Sequence, residues 1–153
     1  MRDAESQRPS HCKNTGVPQV REPKMKVHWL SRRIAAPGPY LTLCMTEAQY
    51  IAAMKHLKAK PEGWLRTEYA DATMHTLEHP DGGLACIVCI KPTRSDGIEV
   101  AGLLVHEAVH VWQRYAARIG EDYPGAEQEA YAIQSIAQEL MESYAIQIGA
   151  RKS

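Results

Sequence analysis

Gly97-Ile98-Glu99-Val100-Ala101-Gly102-Leu103-Leu104-Val105-His106-Glu107-Ala108-Val109-His110-Val111-Trp112 is an apolar run with the pattern H-E-x-x-H towards its end. No proline interrupts it, so the run reads as a helix from about Gly97 to Ile119. Two histidines four apart on a helix lie one turn apart on the same face. They offer two imidazole nitrogens to one metal ion, and the Glu beside the first His can take a proton from a water on that metal. At about 100° per residue, Ala101, Leu104, Val105, Ala108, Trp112, Tyr115 and Ala116 share one broad apolar arc. His106 and His110 fall outside that arc, with Gly102, Leu103 and Gln113.

The chain holds 7 His in 153 residues, and with that frequency the bare pattern arises by chance in roughly 2% of such chains. The plainer reading makes the two His part of the solvated face of an amphipathic helix. Gly102 speaks for a site instead: it lowers helix propensity on the His side and lets another segment approach closely.

A catalytic zinc centre takes three protein ligands and keeps a fourth position open. No His follows His110, which excludes a His-x-x-Gly-x-x-His extension; the acidic residues downstream are Glu121, Asp122, Glu127, Glu129, Glu139 and Glu142. Pro124 and Gly125 introduce a second long helix, expected to run to about Ile148. Glu127 and Glu129 fall in its first turn, where the helix dipole favours a carboxylate with or without a metal. The apolar stripe Ile133, Ile136, Ala137, Leu140 and Tyr144 centres close to Glu129, with Glu127 at its edge.

On these residues the chain resembles the gluzincin metallopeptidases, the thermolysin-like clan, and small phage and prophage metallopeptidases within it. The resemblance covers roughly Gly97 to Ile148. In that family a ligand Glu follows in a second helix, in several branches within an E-x-x-A-D or E-x-x-S-D run. Glu127-Gln128-Glu129-Ala130-Tyr131 fits E-x-x-A, with Tyr131 where the Asp would stand. The resemblance implies one Zn²⁺ per chain held by His106, His110 and Glu127, with Glu129 as the alternative third ligand. It implies Glu107 as the catalytic base and Tyr131 in the place of the Asp that orients a ligand imidazole. The implied activity is hydrolysis of a peptide or flexible protein segment. The implied fold is α+β, a minimal zincin-like domain with a small antiparallel sheet packed against the motif helix and a long C-terminal helix. A sheet edge beside the metal would pair with extended substrate, and Leu84 to Lys91 is the natural candidate. An oxyanion donor is needed as well; Tyr115, Tyr123, Tyr131, His75 and Arg94 all qualify by residue type. The competing function is a non-catalytic module, zinc-stabilised or metal-free, whose helix pair binds another protein.

The rest of the chain frames this core. One domain over residues 25–150 is expected, preceded by a polar, flexible segment over residues 1–24 that contains Pro9, Pro18 and Pro23. Lys plus Arg equals Asp plus Glu at 18 each, so no basic stripe recommends a nucleic-acid partner. No signal-like or membrane-spanning apolar run is present, and four Cys with irregular spacing suit reduced thiols in a cytoplasm. Cys86-Ile87-Val88-Cys89 is a C-x-x-C, but on a strand residues three apart face opposite sides and cannot share an ion. Met25 to Leu30 reads as a short strand, Pro37-Gly38-Pro39 as a rigid turn and Thr46 to Lys60 as a helix capped by Thr46. Ala72 to Glu78 and Leu84 to Lys91 read as a hairpin around Pro80-Asp81-Gly82-Gly83.

Overall fold

The computed structural model describes residues 25–30, 38–92 and 97–152. The segment over residues 1–24, expected to be flexible, lies outside them, as does Arg94. In chain order the elements are β1 (Tyr40–Cys44), α1 (Glu47–His56), β2 (Ala72–Glu78), β3 (Leu84–Ile90), α2 (Gly97–Ile119) and α3 (Ala126–Lys152). The α+β class stands, and the hairpin and the motif helix fall where periodicity put them.

The sheet differs from expectation. Its order is β1-β3-β2, with β2 antiparallel to β3 but β1 parallel to it, Tyr40 opposite Ala85 and Cys44 opposite Cys89. It is therefore mixed, not antiparallel. The strand anticipated at Met25 to Leu30 carries no ladder. That segment is tied to β1 by the Leu30 N–H donating to the Leu41 carbonyl at 2.8 Å and the Thr42 hydroxyl donating to the His28 carbonyl at 2.9 Å. β3 is central and all seven of its residues are buried, so both its edges are paired and it cannot accept a substrate strand. A run apolar at every position is what a strand covered on both faces requires. The edge strand on the motif side is β2.

Alternation along β3 divides the core. Cys86, Val88 and Ile90 pack with α2 and α3, around Leu104, Trp112, Ile136 and Leu140. Ala85, Ile87 and Cys89 pack with α1, around Tyr50, Ala53 and Met54. Cys86 and Cys89 thus sit on opposite faces, as strand geometry demands. Burial pushes the Cys86 thiol up to about 12, so it stays protonated as an inert core residue.

Local chemistry sets the helix ends. Thr46 caps α1, its hydroxyl accepting from the Gln49 N–H at 3.2 Å, while the Gln49 side chain accepts from the Met45 N–H at 2.7 Å. α1 stops at His56, short of the expected Lys60. Lys58 turns left-handed at φ 56°, and the Ala59 N–H returns to the Met54 carbonyl at 2.9 Å. α2 closes the same way through Gly120 at φ 73°, with the Glu121 N–H on the Ala116 carbonyl at 2.9 Å. The Arg118 guanidinium then ties the end of α2 to the end of β2, its Nη1 lying 2.8 Å from Glu78 Oε1.

Candidate metal centre and cleft

α2 puts His106 and His110 one turn apart on its outer side. Their Nε2 atoms are 3.0 Å apart and the rings meet edge to face at 86°. Two nitrogens on a tetrahedral zinc, each about 2.05 Å from the ion, stand about 3.3 Å apart. The pair therefore fits two corners of such a site with little adjustment. The other ring nitrogen of His110, Nδ1, lies 3.4 Å from Gln113 Oε1. A proton held on Nδ1 by that amide oxygen leaves the Nε2 lone pair free for a metal. Gln113 was legible in principle, being three residues past His110 on the same helix, but its amide was not singled out from sequence.

The burial of Glu107 was not expected. The buried side of α2 runs through Val100, Leu104, Glu107, Ala108 and Val111, whereas Val105, assigned to the apolar arc, is 40% exposed. The arc is turned towards β2 and β3, and that turn carries a carboxylate under cover. Only 5% of Glu107 is exposed, and its Oε2 has no hydrogen-bond partner among the described residues. Burial raises its carboxyl above the ordinary carboxylate range, while His110, His106 and the Arg66 guanidinium pull in the opposite direction. A buried carboxylate oxygen without a partner costs stability, and this one belongs to a residue that lines a cleft.

That cleft has a volume of about 350 Å³. Its floor is His106, Glu107 and His110; across from them stand Thr73 and Met74 of β2, with Arg66 on the approach from α1. The Arg66 N–H donates to the Thr73 hydroxyl at 3.1 Å, which fixes this approach against the edge strand. Arg66 and Thr73 carry no motif, and only the folded chain brings them here.

Comparisons with protein-family models, with curated proteins and with solved structures find no match.

The remaining candidates are dispersed. Glu127 is exposed in the first turn of α3. Glu129 is half-buried and lines a cavity of about 270 Å³ with Trp112 and Gln113 of α2. Among the described residues no three His, Cys, Asp or Glu side chains gather around one point, so the His pair stands without a third ligand in place. Tyr131 is 64% exposed and Tyr123 is 93% exposed. Tyr115 is buried in the core beside Trp112, their ring centroids 6.1 Å apart. His75 lies in a neighbouring cavity, its Nε2 3.0 Å from the Trp64 carbonyl oxygen. Of the oxyanion candidates, none of these four side chains lines the cleft of the His pair.

Proposed function

We propose that the chain is a zinc-dependent peptidase, similar in its core to the gluzincins, with Glu107 as general base. The observation that carries this reading is the buried Oε2 of Glu107, without a partner among the described residues, in a cleft that two converging imidazoles also line. A purely structural metal site has no use for such a group. His106 and His110 would hold the ion through Nε2, and α3 would supply the third ligand. Glu127 has the position the family resemblance implies. What supports Glu129 is its half-buried place beside Gln113, itself in contact with His110.

When bound, the zinc ion polarises the scissile carbonyl and lowers the pKa of an attacking water. Glu107 then has two tasks. It accepts the proton of that water and later delivers it to the leaving amine. A carboxyl raised by burial is suited to both, since its proton affinity lies nearer to neutrality. Gln113 holds the tautomer of His110. The free edge of β2, at Ala72, Thr73 and Met74, is the backbone against which an extended peptide would lie. The cleft is open and fits a flexible segment better than a folded surface.

Elemental analysis of the untagged protein tests the centre, with about one zinc per chain expected. Glu107→Gln should then keep the zinc and lose hydrolysis of a mixed peptide pool. Zinc without any dependence on Glu107 would sink the catalytic assignment. The second reading is an interaction module, metal-free or merely zinc-stabilised. It draws on the missing third ligand among the described residues, and it predicts that His106→Ala leaves fold and stability unchanged in the metal-free case.

A further inference from the structure

A cavity of about 560 Å³ lies to one side of the His pair. It runs beside β2 from Met74 to Leu77, against Tyr50 and Leu65. It shares Arg66, Met74 and Arg114 with the cleft that holds Glu107, so the two spaces adjoin at those three residues. We infer that this junction is a carboxylate-binding subsite, in which the Arg66 and Arg114 guanidinium groups hold an anionic group of the substrate peptide. The inference rests on the peptidase reading for its substrate class.

Three observations support it. First, the two arginines come from separate parts of the chain, Arg114 from one turn past His110 on α2 and Arg66 from the segment between α1 and β2. Both nonetheless line both spaces. Secondly, neither guanidinium has a hydrogen-bond or ion-pair partner among the described residues, whereas Arg118 on the same helix is paired with Glu78 through both nitrogens, at 2.8 and 2.9 Å. Among the described residues Glu107 is the sole carboxylate lining the cleft, and its Oε2 pairs with neither arginine. Glu62 of the larger cavity is matched there by Lys60. Thirdly, the chain as a whole is neutral, so the local excess of positive charge is not a consequence of composition. Guanidinium groups bind carboxylates through paired, charge-assisted hydrogen bonds, and two of them beside one opening select an anion strongly.

The carboxylate has two sources in a peptide, an acidic side chain or the chain terminus. The test is an NMR titration of the full-length protein with short peptides of alanine and serine. Each carries a central Glu, Gln or Lys, and each is made with a free and with an amidated C-terminus. Peptides bearing the recognised carboxylate should bind about tenfold or more tighter than their neutral counterparts. That preference should vanish in the Arg66→Gln/Arg114→Gln double variant. A preference that follows Glu in the amidated series assigns the subsite to an acidic side chain; one that follows the free terminus assigns it to the chain end. Equal binding of charged and neutral peptides overturns the inference, as does a preference that survives in the double variant. If the double variant does not fold, the wild-type series and the two single variants decide. Cleavage of neutral peptides without carboxylate preference would remove the subsite and leave the peptidase. Carboxylate preference in a protein that cleaves nothing would leave the subsite and remove the peptidase.

Discussion

Glu107 is the residue on which the site turns. Its carboxyl is raised by burial, so the folded state binds its proton more tightly than the unfolded chain does. The penalty for burying the charge is present above the raised pKa and disappears as pH falls through it towards the ordinary carboxylate value. Glu107→Gln in metal-depleted protein should therefore raise the thermal midpoint at neutral pH, with the gain shrinking on acidification. A gain that is equal at all pH values would mean the carboxylate is not buried as charge. Gln113 offers a second check. If its amide oxygen holds the His110 tautomer, Gln113→Ala should weaken zinc binding by about ten- to a hundredfold, read by competition with a chromophoric chelator. Unchanged affinity would show that the contact at 3.4 Å does not set the ligand's protonation. The histidine spacing was legible because i and i+4 on a helix need no tertiary information. The burial of Glu107 was not, because a helix with apolar residues at many angles does not declare which of them face the sheet.

At the scale of elements, the motif helix and the hairpin were legible from periodicity and from Gly120 and Gly82, both at positive φ. α1 was over-extended because Pro61 is the obvious stop, whereas the actual one is a left-handed Lys58, a conformation no sequence rule assigns to lysine. Lys58 is exposed, so Lys58→Gly removes the left-handed penalty of about 1–2 kcal/mol against an unfolded-chain entropy cost of about 0.5–1 kcal/mol. The expected net gain of about 0.5 kcal/mol should appear as a higher urea midpoint. A lower midpoint would place Lys58 outside the left-handed region in solution. β1 escaped the reading because Tyr40–Cys44 is short and lacks polar alternation. It is a strand because Leu41 and Leu43 face α2 and α3 while Cys44 faces α1.

For the molecule as a whole, one cluster joins the sheet, α2 and α3, and the cleft sits at its rim. Ile136 of α3 is fully buried in that cluster, so Ile136→Ala should cost about 2–5 kcal/mol. Tryptophan fluorescence and far-UV circular dichroism should report the same single transition. Two separated transitions would mean that α3 is held independently and that any ligand it lends to the His pair is conditional on its docking. No described helix is long and apolar enough to cross a membrane.

The sequence by itself determined what depends on near neighbours along the chain. It placed His106, Glu107 and His110 on one helix, set the cap at Thr46, and put the two C-x-x-C thiols on opposite faces of a strand. Each follows from rises and angles per residue that are fixed by backbone geometry. Tertiary structure decided the order β1-β3-β2, the loss of β3 as a free edge, the burial of Glu107 and the approach of Arg66 to Thr73. These depend on pairing and packing between segments far apart in the chain. Their energies come from surface removed from water by the whole assembly, which no local pattern encodes.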